Sequence, residues 1–90
     1  MSATNSINDR IRKFVFNQFP LAKRKSIADD YSLLDGGIID SLGVLEVVHF
    51  IENEFMITIY DEELLPENFQ SIQSISDFIG QKLGNLDGTL

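Results

Sequence analysis

The 90-residue sequence contains no cysteine and only one histidine, His49. Without thiols there can be no disulfide framework, thiolate metal site or cysteine nucleophile, and one histidine cannot make a histidine-rich zinc site. No apolar run approaches the roughly 20 residues of a membrane span. The first residues lack the basic and apolar regions of a signal peptide. We therefore expect a soluble, cytoplasmic protein with no metal site.

Basic residues are absent from most of the chain. Between residues 26 and 81 there are twelve acids and no lysine or arginine, and the net charge is -7. This stretch cannot neutralise the phosphates of nucleic acid or an anionic membrane, so neither is an expected partner. Six of the seven basic residues come earlier: Arg10, Arg12, Lys13, Lys23, Arg24 and Lys25. An acidic surface of this kind attracts basic partners, although acidity can also serve solubility alone.

The chain has the composition of one globular domain, with 43% hydrophobic and 23% charged residues. Apolar residues at helical spacing predict helices over 6–19, 40–55 and 71–83, with a short helical piece at 67–69 opened by Pro66. We therefore predict an all-α fold, a small four-helix bundle of three longer helices plus one short helix. The three apolar faces consist, in order, of Ile7, Ile11, Phe14, Val15 and Phe19; of Val44, Val47, Val48, Ile51 and Phe55; and of Ile72, Ile75, Ile79 and Leu83.

Two helix starts have alternative caps. Asn5 or Ser6 can cap the first helix, and the last can start at Ser71 or use Ser74 with Asp77 as a capping box. Residues 20–40 form a long connection, which is either functional or partly helical. In it, Asp35-Gly36-Gly37 predicts a turn, while Leu33-Leu34 and Ile38-Ile39 are expected to pin the connection to the core.

The residues do not match the pattern of a catalytic site. Ser41 and His49 are the obvious nucleophile and base, but eight residues along one helix place them about 12 Å apart. The sequence around Ser41 lacks the first glycine of a nucleophile elbow. The acids between Asp29 and Asp40 do not follow calcium-loop spacing. We predict no catalytic residues and a protein that is not an enzyme.

Ser41 instead stands at the first turn of an amphipathic helix, where amide groups and the helix dipole favour an attached anionic group. A phosphodiester would suit this place, although a plain helix cap at Ser41 or Asp40 is the commoner explanation of an Asp-Ser pair before a helix. Leu42, Leu45 and His49 fall on a different face from the core stripe. That face is either a docking surface for partners or is buried by a bundle that covers the helix nearly all round.

The region around Ser41 reads Gly36-Gly37-Ile38-Ile39-Asp40-Ser41-Leu42 and continues through Glu46 to Ile51-Glu52-Asn53-Glu54-Phe55. This pattern closely resembles the acyl carrier proteins. The likeness continues to Asp77-Phe78-Ile79 and covers roughly residues 6 to 83.

The resemblance implies that Ser41 carries 4'-phosphopantetheine, transferred covalently from coenzyme A by a phosphopantetheinyl transferase that reads Asp40. It implies that Leu42, Leu45, Glu46 and His49 face partner enzymes. These partners would be an acyl-loading ligase or synthase (an adenylating enzyme or acyltransferase) and downstream enzymes that use the acyl group. The thiol missing from the chain would arrive with the prosthetic group.

The resemblance also implies the function and the domain limits. The chain is expected to be a monomeric phosphoprotein that holds an acyl or aminoacyl thioester in fatty acid or secondary metabolite biosynthesis. The carrier domain would span 6–83, between a flexible N-terminus (1–5) and a flexible tail (84–90). Gly43 stands where many fatty-acid carriers have an acid, which favours a specialised pathway. The alternative is an acidic helical interaction module without a prosthetic group.

Overall fold

The computed structural model describes residues 6–88, and side chains for residues 6–84. It contains four α-helices: α1 (Ile7–Gln18), α2 (Pro20–Lys25), α3 (Ser41–Phe55) and α4 (Ile72–Gly88). Two short 3-10 turns, Asp61–Glu63 and Pro66–Phe69, lie between α3 and α4. No strand occurs in residues 6–88. The prediction of an all-α bundle is confirmed.

Each of the three longer helices begins where a capping side chain accepts a backbone hydrogen bond. Ser6 Oγ accepts from Asp9 N at 3.1 Å. Ser71 Oγ accepts from Ser74 N at 3.0 Å, so Ser71 and not Ser74 starts the last helix. At the start of α3 the capping side chain belongs to Asp40, described below with the site.

The short α-helix is α2, and it lies inside the connection over residues 20–40, which was predicted to be either functional or partly helical. Pro20 is its first residue, a position that proline favours because its missing N–H has no partner there in any case. Phe19 before it is extended, as a residue preceding proline prefers, and this separates α1 from α2. The predicted short helix at 67–69 is a 3-10 turn, Pro66–Phe69.

Helix α4 extends to Gly88, beyond the predicted end at residue 83, so the predicted tail begins inside the helix. The predicted N-terminal segment 1–5 and residues 89–90 lie outside the described residues.

The core is formed by the predicted faces of α1, α3 and α4, with α1 packed on α4. The connection contributes as expected: Leu33, Ile38 and Ile39 are buried, and Gly37 takes the positive φ of 76° that its turn requires. No helix in the described part of the chain is long and apolar enough to cross a membrane. The fully buried residues of the three helical faces are Ile11, Val15, Val47, Ile51, Ile72, Ile75 and Ile79.

Candidate functional site

Ser41 is the first residue of α3, and its side chain is exposed. The capping bond at this helix start is made by Asp40, whose carboxylate accepts from Gly43 N at 2.9 Å. Because Asp40 is the cap, Ser41 does not perform that role. The Ser41 hydroxyl therefore lies at the positive end of a 15-residue helix and is accessible to an enzyme that would modify it.

The predicted partner face of α3 lies on the surface. Leu42 is 70% exposed and Leu45 is 53% exposed. Asp40, Glu46 and His49 are also exposed. The alternative that the bundle buries α3 nearly all round is therefore wrong. Two large apolar side chains beside acidic ones, with no cover in the described part of the chain, form the kind of patch that partners bind.

Gly43, in the same first turn of α3, is buried. A Cβ added there would lie 2.9 Å from Cβ of Ile39 and 3.2 Å from Cε1 of Phe19. Both distances are shorter than an ordinary van der Waals contact, so a side chain at residue 43 would displace one of these neighbours. An acid at this position would have to enter the contact between α3, Phe19 and the end of the connection.

The edge of α3 that faces α1 is bridged to it by a regular series of side-chain pairs. Arg10 Nε lies 3.3 Å from a carboxylate oxygen of Glu54. One helical turn on, the rings of Phe14 and Phe50 stack with centroids 4.1 Å apart. The next turn brings Gln18 Nε2 to 3.1 Å from Glu46 Oε1. The open clefts beside this seam, of about 590 and about 430 Å³, are lined by the rings of Phe14 and Phe50 together with polar and charged side chains, and do not include Ser41.

The opposite edge of α3 is open beside Ser41. A groove of about 240 Å³ lies between the helix and the segment from Leu64 to Phe69, and Ser41 is one of its lining residues. Its other lining residues are apolar, and the sequence analysis did not assign them to the site. An apolar run before Pro66 was the available signal, but it does not say which helix the run approaches. These residues are Leu34, Val44, Leu64, Leu65, Pro66 and Phe69.

The segment that forms the far wall of this groove is attached mainly to α4. Both carboxylate oxygens of Glu63 lie 2.9 Å from Lys82 Nζ, and one of them also accepts from Tyr60 N at 2.9 Å. The bond from the Tyr60 amide, followed by that from Lys82, holds the pKa of Glu63 below its usual value. A bond from Ile59 N to Glu52 ties the beginning of the segment to α3 at 2.9 Å.

Ser41 is accessible, and it does not form a nucleophile–base pair with His49. Ser41 and His49 both lie on α3, eight residues apart, as predicted. No group of three or more possible metal ligands occurs among the described residues. What the arrangement offers is one accessible hydroxyl at a helix start, between an apolar groove and an exposed, partly acidic helix face.

The chain was compared with protein-family models and with individual known proteins, and the relatives among the latter show its family. No family model matches the chain. The acyl carrier protein of Buchnera aphidicola subsp. Acyrthosiphon pisum (strain Tuc7) is 36% identical over 77 residues, which cover 86% of this chain and 92% of the relative. That of Buchnera aphidicola subsp. Baizongia pistaciae (strain Bp) is 38% identical over 74 residues, or 82% of this chain and 91% of the relative.

The fold and the site together define a small helical bundle that displays a serine at the start of an exposed helix. At the identity and coverage of these relatives, the chain belongs to the acyl carrier protein family. Members of that family generally carry phosphopantetheine and work with synthases and transferases. The family assignment supports a carrier role for this chain.

Proposed function

We propose that this chain carries an acyl or aminoacyl group as a thioester on 4'-phosphopantetheine attached to Ser41, and presents it to partner enzymes. The observation that supports this most directly is the exposed Ser41 hydroxyl at the first position of α3, with the capping role taken by Asp40. We further propose that the protein acts in the cytoplasm, in a specialised biosynthetic pathway, without catalysing a reaction itself.

The residues present fit the prosthetic group. The Ser41 oxygen can attack the phosphorus next to the pantetheine part of coenzyme A. The new O–P bond forms as the pyrophosphate bond breaks, adenosine 3',5'-bisphosphate leaves, and the hydroxyl proton is released. The resulting phosphodiester lies at the positive end of α3, where an anion is favoured. When bound, the group supplies the thiol that the chain lacks. The apolar groove beside Ser41 offers dry surface next to the attachment point.

Attachment is tested by intact mass before and after incubation with coenzyme A, magnesium and a promiscuous phosphopantetheinyl transferase. We expect the wild type to gain one phosphopantetheine group and Ser41→Ala to gain none. Ser6→Ala is the matched control, because Ser6 also lies at a helix start, and this variant should still gain the group. Circular dichroism of each variant checks the fold.

A gain of mass in Ser41→Ala would refute the assignment of this serine. No gain in a folded wild type would leave the acidic interaction module as the better interpretation. These two failures differ, because the first moves the attachment site and the second removes the prosthetic group.

The partner face is proposed to be Asp40, Leu42, Leu45, Glu46 and His49. Glu46→Lys reverses a charge on this face, and we expect it to lower kcat/KM of the transferase roughly tenfold at low salt, with a smaller effect at high salt. Asp77→Lys makes the same charge change on an exposed residue of α4 and should have little effect. Equal effects of the two variants, or none at either salt concentration, would remove Glu46 from the docking surface.

A further inference from the structure

Helix α2 is the most basic surface of the molecule. Its last three residues, Lys23, Arg24 and Lys25, are all exposed, while Ala22 is its buried residue. None of the three cations forms an ion pair with an acid in the described part of the chain. By contrast, Arg10 binds Glu54 and Arg12 binds Asp29 at 2.6 Å. The structure therefore neutralises some N-terminal cations and leaves the three of α2 open to solvent.

Helix stabilisation does not account for three adjacent cations. One cation at a helix C-terminus stabilises it by about 0.3–1 kcal/mol, whereas further cations beside it add Coulomb repulsion between like charges. The end of α2 is already formed by the backbone: Ser26 takes a left-handed φ of 50°, and its N–H lies 3.2 Å from the carbonyl oxygen of Lys23. The charge thus exceeds what the local structure needs.

This basic turn lies at the same end of the molecule as Ser41. Helices α1 and α3 are antiparallel, because Arg10 pairs with Glu54 and Gln18 with Glu46. The end of α1 therefore reaches the start of α3, and the ring of Phe19, directly before α2, covers Gly43. A partner that docks on the first turns of α3 would approach α2 at the same time.

Resting on the carrier role proposed above, we infer that α2 is a second docking site, at which Lys23, Arg24 and Lys25 bind an acidic patch on the same partner enzyme whose basic patch contacts α3. An extended polyanion is not the expected partner of α2. It would also contact the region from 26 to 81, which has twelve acids and no lysine or arginine and would repel it. A protein surface can place charge of each sign opposite its counterpart. Two contacts of opposite sign also fix the orientation of the partner, since the reversed orientation would bring like charges together.

The first test uses hexaglutamate as the acidic probe and the unmodified chain, followed by amide chemical shifts. We expect the shifts to concentrate at residues 20–27 and the affinity to fall at least fivefold in the K23Q/R24Q/K25Q variant. Lys13→Gln, which removes an exposed lysine of α1, is the control and should change the affinity less than twofold. Shifts spread over α1 and α2 alike, or an equal effect of Lys13→Gln, would overturn the inference.

The second test asks whether one partner can span both sites. Each peptide carries a lysine block and a glutamate block joined by a polyproline spacer, and the spacer length increases through the series. Polyproline is used because a stiff spacer keeps the two blocks from pairing with each other. The binding of these peptides is compared with that of the separate blocks. At the best spacer length we expect roughly tenfold tighter binding than by the lysine block alone, and loss of that gain in K23Q/R24Q/K25Q. No gain at any spacer length would show that the two sites cannot be engaged together.

Other occupants of α2 would also be detected. Cosedimentation of the wild type, but not of K23Q/R24Q/K25Q, with vesicles of phosphatidylserine and phosphatidylcholine would assign the cations to a membrane surface. Self-association that disappears in the same variant would assign them to a second copy of the chain. Either result would overturn the inference. Since these measurements use the unmodified chain, they are independent of whether Ser41 accepts phosphopantetheine, and the two proposals can fail separately.

Discussion

Helix α3 is held very differently along its two long edges. Towards α1, three successive turns carry a cross-helix pair, centred on the stacked rings of Phe14 and Phe50. Towards the 3-10 turns, an apolar groove runs beside Ser41, and the wall opposite is bonded to α4 through Glu63 and Lys82. The exposed face of α3 is thus positioned by α1, while the surroundings of Ser41 are kept open.

The difference separates two requirements of a carrier. In the carrier role proposed above, a partner would meet the α3 face in one fixed orientation, which requires a rigid contact behind the helix. In the same role, the serine would have to be accessible to more than one enzyme, which requires that no neighbour cover it. One helix meets both requirements because its two edges contact different elements. The predictions below test this division of roles.

Removing a side-chain contact between α1 and α3 should have the largest effect on stability. We expect Phe50→Ala to lower the free energy of unfolding by about 2–3 kcal/mol, because the ring stacks on Phe14 and also contacts Phe55 with centroids 6.5 Å apart. Leu65→Ala on the open edge is the comparison. Leu65 is 43% exposed, and its truncation should cost less than about 1 kcal/mol. Urea unfolding measures both, and equal losses would show that the two edges support α3 equally.

A methyl group at Gly43 tests the contact at the first turn of α3. Gly43→Ala should destabilise by about 1–2 kcal/mol, since its Cβ would lie 2.9 Å from that of Ile39, and this outweighs the better helix propensity of alanine. Gly80→Ala in α4 is matched to it. A Cβ there meets nothing within 4 Å, so this variant should gain about 0.5–1 kcal/mol. If both variants are stabilised, the close approach of Ile39 and Phe19 is not a constraint.

Removing the ion pair that attaches the open edge to α4 should have the smallest effect on the free energy of unfolding, and this effect should depend on pH. Glu63→Gln is expected to cost about 1 kcal/mol at neutral pH, because the Lys82 ion pair is only partly buried. The folded state lowers the pKa of Glu63, so its contribution is present above the unfolded-state pKa and is lost as pH falls through the lower folded-state pKa.

The stability difference between wild type and Glu63→Gln should therefore shrink with acidification below roughly pH 4. Glu62→Gln, at an exposed neighbour, should stay close to wild type throughout. A difference that grew towards acid pH would contradict the sign of the pKa shift.

Much of this arrangement could be predicted from the sequence, because it depends on residues close together along the chain. Periodicity placed the three longer helices, and serine or aspartate before an apolar run marked their starts. The same local pattern placed Ser41 at the first turn of α3. The connection was allowed to be partly helical, but α2 was not placed in it, although Pro20 marks its first position, because six residues are too few to show an apolar period.

Which side chains meet across the bundle depended on the tertiary structure. Leu42 and Leu45 could have been buried or exposed by the same sequence, and they are exposed because no element of the described structure packs over that side of α3. The sequence shows that Gly43 lacks a side chain, but only the approach of Phe19 and Ile39 shows why one would not fit.

The sequence by itself determined the three longer helices, the candidate caps at their starts, the place of Ser41 and the separation of charge between the two parts of the chain. Only the tertiary structure decided which face of α3 is open, which cations are paired and where α2 lies relative to Ser41. The physical reason is that caps and periodicity act within a few residues, whereas burial and ion pairing depend on elements far apart in the chain that fold against one another.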